Sequence, residues 1–236
     1  MKRVISLLLV LAVVLGCVGL AACGGGGGGA VTTDNGGAET ANGNGDGNGN
    51  GDGNGGGNGD GEDLGDILGH GTGIDSVYYV MEITAPGMPK VTTQVWMEEN
   101  KFRTESEAGG NGQTIITIVD VNAQVMYQYF PDLNMAYRMS YTQETPTAIT
   151  ETQSIPDYNP VEIGTATIDG KVCLVVEYSY GGATVKSWIW KEHGFPIRVE
   201  TTTAEGTAVI VYKDIDFGDI DDNKFEIPPD VQIIDM

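Results

Sequence analysis

The chain is short of cations, histidine and cysteine, and each shortage removes a class of function. Twelve Lys and Arg stand against 33 Asp and Glu in 236 residues, a formal net charge of -21. A nucleic-acid binder lays cations along phosphates, so nucleic acid is excluded as a partner. The two histidines are His70, next to a glycine-rich stretch, and His193, in the turn-like KEHGFP. Neither sits in a recognisable nucleophile or zinc arrangement, and GxSxG, HExxH and P-loop spacings do not occur. Of the three cysteines, Cys17 and Cys23 lie near the N-terminus, which leaves Cys173 alone in the rest of the chain with no internal disulfide to form. In DIDFGDIDD, Asp214, Asp216 and Asp219 could suggest a metal site, but Ile215 and Phe217 interleave as in a strand with one solvated face. The expectation is a binding protein with no catalytic residue, no cofactor and no metal.

Long apolar runs are scarce too. Val4 to Val14 is almost wholly apolar, yet too short for a comfortable transmembrane helix, which needs about 20 residues. It follows the basic start Met1-Lys2-Arg3 and leads to Leu20-Ala21-Ala22-Cys23, which together read as an export signal. LAAC resembles the lipobox of bacterial lipoproteins, where cleavage leaves the cysteine as the lipid-bearing first residue. Cys17 competes, but its Val14-Leu15-Gly16 puts a bulky leucine where lipoboxes have a small residue. The expectation is a signal peptide over 1–22 and lipid attachment at Cys23. The protein would then be extracytoplasmic and anchored to the cell membrane or outer membrane by its N-terminal lipid. Several acyl chains, at about 0.8 kcal/mol per CH2, make such attachment durable.

Residues 23–62 are mostly Gly, Asn and Asp and contain no aromatic residue. Such a segment buries too little apolar surface to offset its ordering entropy and reads as a flexible tether. Its typical span is about 35 Å. An EF-hand starting at Asp46 would need Glu at its twelfth position, where Gly57 stands, so calcium binding is disfavoured. Without Lys2 and Arg3 the mature chain holds 10 basic and 33 acidic side chains, net near -23. An anionic membrane repels that charge, which leaves the lipid as the source of attachment.

Residues 63–236 are enough for one domain. They read as strand after strand with turn signals between: about eleven antiparallel strands over 76–85, 91–99, 101–108, 114–121, 124–130, 135–142, 162–168, 171–180, 183–192, 195–204 and 207–217. Short helices are expected at 63–69 and at 146–154, where Thr145-Pro146 resembles an N-cap with proline at the first helical position. Asp169-Gly170, Gly181-Gly182, His193-Gly194 and Glu205-Gly206 read as two-residue hairpin turns. Pairing outward from them sets Cys173 against Trp190, Val175 against Trp188 and Glu177 against Lys186. It continues Trp190 to Ile197, Trp188 to Val199, Val199 to Tyr212 and Thr201 to Ile210. One apolar face would thus carry Cys173, Val175, Trp188, Trp190, Ile197, Val199, Ile210 and Tyr212. In the first half, QVMYQYF and MAYRMSY are apolar on both faces and add Tyr127 and Tyr129. Strands of that kind must be covered on the outside or fold around something, and methionine suits greasy ligands of variable shape. Met and Tyr filling an ordinary core is the equal alternative.

The order of these features resembles the LolA/LolB-like family of lipoprotein carriers and receptors. The matching stretches are SVYYVMEITA, VWMEENKFRTE, IVDVNAQVMYQYFPDLNMAY and KFEIPPDVQIID, within residues 74–236. The resemblance implies an incompletely closed antiparallel half-barrel of about eleven strands, a helical lid, and a concave apolar cavity that takes lipid or the acyl chains of a lipoprotein. Arg103 falls at the family position whose arginine contacts the lid, while its bland reading is a strand charge paired with Glu105 or Glu98. The lid stretch QETPTAITETQSIPDYNP holds three prolines and can form little helix. With the anchor, this departs from a free shuttle and fits a tethered receptor or lipid-binding protein. The alternative is an extracytoplasmic sensor or interaction module with a filled core and no lipid, whose protein partner the sequence does not name.

Overall fold

The computed structural model describes residues 62–108, 112–142 and 146–236. The signal segment, Cys23 and nearly all of the tether lie outside the described residues. The chain forms one twelve-stranded sheet: β1 (Ser76–Thr84), β2 (Val91–Glu98), β3 (Lys101–Ala108), β4 (Gln113–Asp120), β5 (Val125–Phe130), β6 (Met135–Ser140), β7 (Val161–Ile168), β8 (Lys171–Tyr180), β9 (Ala183–Trp190), β10 (Phe195–Thr203), β11 (Gly206–Asp216) and β12 (Gln232–Asp235). Its spatial order is β12-β6-β5-β4-β3-β2-β1-β11-β10-β9-β8-β7, so β12 and β7 are separate edges and the sheet is not closed into a barrel. Eleven strands follow the expected positions and pair antiparallel. The twelfth, QIID, was not foreseen: it pairs parallel with β6, setting Ile234 beside Tyr137. Four residues carry too little alternation to announce a strand.

Turn chemistry sets much of the register. Asp169 and Gly170 have φ of 48° and 78°, and Gly181 and Gly182 have 60° and 89°. Positive φ at both central residues matches the right-handed twist of the flanking strands, which makes these two-residue hairpins tight. Cys173 pairs with Trp190, Val175 with Trp188 and Glu177 with Lys186, as expected.

The next two hairpins differ. Trp190 pairs directly with Phe195 across the four-residue loop 191–194, and a bulge between Pro196 and Arg198 then sets Trp188 against Arg198 and Ser187 against Val199. Relative to the expected register this is a slip of one residue, and a slip of one moves every following side chain to the other face. Across the turn at Ala204-Glu205, Val199 pairs with Ile210 and Thr201 with Ala208. That shift is of two residues and leaves the faces unchanged.

Two helices lie on one face, here the inner face. Helix α1 (Leu64–Gly71) starts at Asp63, whose side chain accepts from the Asp66 N–H. Its Leu64, Ile67 and Leu68, spaced for one side of a helix, pack with Ile155, Leu174, Val176 and Ile189. Helix α2 (Ala148–Gln153) starts two residues later than expected, at a capping box between Thr147 and Thr150. A 3-10 turn, Ile155–Tyr158, carries it on. Ala148 and Ile149 of α2 pack with Val77, Tyr79, Met81, Phe195 and Tyr212. Among the described residues the lid segment is α-helical over six residues, between Pro146 and Pro156, in keeping with a proline-limited helix.

Candidate functional site: the helix-covered face

Away from the bulges cross-strand partners share a face, so the register sorts the strand residues there; Phe195, paired with Trp190 beside the β9–β10 bulge, is placed by its contacts with Tyr79 and Tyr212 instead. On the inner face, Tyr79 and Met81 of β1 neighbour Val95 and Thr93 of β2, and Met81 and Ile83 neighbour Tyr212 and Ile210 of β11. Tyr79 meets Phe195 and Tyr212 edge-on at centroid distances of 5.4 and 5.5 Å. Val199 and Ile210 pack against the same cluster. Under α1 and α2, this half of the face is a filled core.

The expected lining residues divide accordingly. Val199, Ile210 and Tyr212 are inner. Cys173, Val175, Trp188 and Trp190 alternate with Leu174, Val176, Ser187 and Ile189 and so belong to the outer face. The single apolar face drawn from the sequence is thus two faces, separated at the β9–β10 bulge. Ile197 sits at that bulge and is buried. Trp188 is flanked by Lys186 and Arg198, each 5.5 Å from its ring, and Trp190 by Lys171 at 5.1 Å. Burial pushes the Cys173 thiol up to about 11, against a smaller pull from Lys171, which keeps it a thiol at neutral pH.

Tyr127 and Tyr129 are outer residues as well, paired with Ile118 and Ile116. Arg103 lies on that face beside Trp96 and Ile118, opposite to α2. Its Nε donates to Glu105 at 2.7 Å and its Nη1 donates to the Lys224 carbonyl at 2.8 Å. Lys224 in turn puts its Nζ 4.6 Å from the Trp96 ring. Arg103 therefore ties down the C-terminal segment with the 3-10 turn Asp222–Phe225, and the contacts expected with the lid are replaced by these. Lys101 adds an ion pair to Asp222 at 2.8 Å. Between β3, β4 and this segment lies a cavity of about 310 Å3 lined by Lys101, Ile118, Asp120, Asp222, Phe225 and Glu226 among others. With three carboxylates on its wall it does not suit an acyl chain. Among the described residues, no group of three or more His, Cys, Asp or Glu is arranged to hold a metal ion.

Sequence reasoning singled out the strands QVMYQYF and MAYRMSY as apolar on both sides, and the register now says which residues of β3–β6 are inner. Phe102 neighbours Val119, Val119 neighbours Met126, and Met126 neighbours Met139. Phe130 pairs with Met135 and meets Tyr137 edge-on at 6.0 Å. Met126, Phe130, Met135, Tyr137 and Met139 are only half-buried. No residue of α1 or α2 belongs to a core cluster with them. Every charged side chain of β1–β6 and β12, from Glu82 and Arg103 to Arg138 and Asp235, stands on the outer face by the register. The signal was present as Met and Tyr spaced two apart in QVMYQYF and MAYRMSY, but both faces of these strands are apolar and alternation alone does not say which is inside.

One acid reaches the inner side from the lid. Burial raises the Glu151 carboxyl of α2 above its usual range, and its charge would also raise Tyr178 and Tyr212 nearby, whose hydroxyls burial already pushes up. A raised folded-state value means the folded protein holds the proton longer than the unfolded chain. The associated stability is complete below the unfolded value, near about 4.3, and is lost as pH rises through the folded one. Glu151→Gln should therefore raise Tm at pH 8 and leave it unchanged at pH 4 in thermal scans. Equal shifts at both pH values would contradict the burial of this carboxyl.

No protein-family model matches the sequence, and no curated protein matches it. Solved structures do. An uncharacterised conserved protein of Thermus thermophilus superposes with TM-score 0.51 at 13% identity, over 73% of this chain and 96% of that one. LprF from Mycobacterium bovis gives 0.47 at 14% identity, over 71% and 95%. The MucA/MucB complex of Pseudomonas aeruginosa gives 0.47 at 10% identity, over 72% of this chain and 62% of that one. The likeness is one of fold: a mainly β, open sheet, the architecture that the LolA/LolB-like resemblance implies.

Proposed function

We propose that the protein is an exported, lipid-anchored binding protein that holds an apolar ligand, a lipid or the acyl chains of a lipoprotein, against the inner face of its sheet. The observation that carries this reading is the uncharged, methionine- and aromatic-rich inner face of β5 and β6, half-buried and outside the cores that α1 and α2 fill, with Phe102 of β3 marking where the α2 core ends. An apolar surface of that kind suits a flexible chain because Met side chains adapt their shape. The anchor is Cys23, behind the LAAC signal, and the glycine-rich stretch lets the domain work about 35 Å from the bilayer. The domain belongs outside the cytoplasm.

Displacement of a fluorescent acyl probe tests the reading. The full chain should bind the probe with saturation, and Met126→Glu, which puts a charge on the inner face, should weaken binding at least tenfold with little loss of fold. A chain that takes up no probe contradicts it. The mature N-terminal peptide should carry acyl mass on Cys23, whereas an unmodified cysteine contradicts the anchor.

A second reading has its own support. Half of the inner face is filled by α1 and α2, as in an interaction or sensor module without a lipid ligand. On that reading the probe does not bind, and the strongly acidic exterior meets a protein.

A further inference from the structure

The inner face of β3–β6 is not uniformly apolar. A band of uncharged hydrogen-bonding groups crosses it: Thr104 neighbours Thr117, Thr117 neighbours Gln128, and Gln128 neighbours Tyr137. Apolar rows flank the band, Phe102, Val119 and Met126 on one side and Phe130 with Met135 on the other. Thr117 is buried. The Gln128 Nε2 is buried and finds no hydrogen-bond partner in the protein, and the same holds for Oγ1 of Thr93, which is 1% exposed on the adjoining strand β2. A buried donor without an acceptor costs about 1–3 kcal/mol, and an apolar side chain of the same shape would be no worse for the fold. Stability alone gives no reason for glutamine at this position.

Resting on the lipid-binding reading, we infer that this band is a polar-group subsite that selects an uncharged acyl ester. The ester carbonyl accepts from Gln128 Nε2 and from a threonine hydroxyl, and the hydrocarbon lies on the flanking apolar rows. A free fatty acid is disfavoured because no cation projects from the inner face of β1–β6 to meet its carboxylate, and an unpaired charge is costly to desolvate. The ligand class is a neutral diacylglyceryl group, which occurs both in free diacylglycerol and on the N-terminal cysteine of a lipoprotein.

Native mass spectrometry of the full chain tests this with four probes at pH 8: dioleoylglycerol, a peptide bearing an S-diacylglyceryl cysteine, oleic acid, and pyrenyldecane, which has no carbonyl. At least one ester probe should bind about tenfold or more tightly than oleate, and whichever binds identifies the source of the group. The double variant Thr117→Val, Gln128→Leu should bring that preference close to one while still binding pyrenyldecane, with Tm unchanged or raised. Oleate binding as well as both esters, or a preference that survives the double variant, overturns the subsite. Failure of all four probes, pyrenyldecane included, overturns the lipid-binding reading beneath it.

Discussion

Replacing Phe195 by alanine should lower the unfolding free energy by about 3–5 kcal/mol, the range for a large aromatic removed from a core. Phe195 is fully buried where the strands meet the lid. Its ring contacts Tyr79, Tyr212 and Phe217 at 5.4, 5.7 and 5.8 Å, and Ala148 and Ile149 of α2 share its cluster. Three rings and a helix surround the void left behind, so little of it can collapse. Urea denaturation should show a reduced midpoint at unchanged slope. A loss below about 1 kcal/mol would contradict the packing of this junction.

Gly194→Ala should cost about 2 kcal/mol or more, for two separable reasons. Its φ is +59°, where a Cβ is strained. A Cβ there would also stand 2.5 Å from the Ile67 carbonyl oxygen and 2.7 Å from the Gly71 nitrogen of α1. Gly181→Ala separates the two effects, because Gly181 has nearly the same φ, +60°, and no atom within 4 Å of its would-be Cβ. Gly194→Ala should be clearly the worse of the pair, and hydrogen exchange should speed up in α1 in that variant alone. Equal costs would mean that α1 does not press on the 191–194 loop.

These two positions also mark where the sequence was hardest to read. Asp169-Gly170 and Gly181-Gly182 announce their turns because glycine and aspartate accept positive φ, and the β8–β9 pairing follows residue by residue. His193-Gly194 looks the same, but the loop has four residues, Gly194 serves the close approach of α1, and a bulge follows. A bulge has no signature in alternation, and one unmatched residue carried Trp188 and Val175 from the expected cavity to the outer face. Tyr127 and Tyr129 were misplaced for a different reason. Their strands are apolar on both sides because the outer side is also covered, as buried Ile116, Ile118 and Ala136 show, and Arg103 and Lys101 hold the C-terminal segment there. What the sequence could not supply was which side of a two-sided strand faces the helices. Only the neighbours of Tyr79, fixed through β2, β3 and β4, decide that Gln128 is inner and Tyr127 outer.

The outer face has a role of its own in this account. Trp96, Trp188 and Trp190 each carry at least one cation over the ring, and Arg198 pairs with Glu200 at 2.6 Å. Five cations, Arg103, Lys171, Lys186, Arg198 and Lys224, lie over these rings, while the charged side chains of β1–β6 all stand on the outer face by the register.

The central claim, that this uncharged face holds lipid, is tested most directly by isolating the full chain from its own membranes in mild detergent and extracting non-covalent lipid for mass spectrometry. The account predicts about one neutral, ester-bearing lipid per chain, lost on Met126→Glu while the acyl mass on Cys23 remains. A chain that carries its anchor but no extractable lipid, in wild type and variant alike, would contradict it.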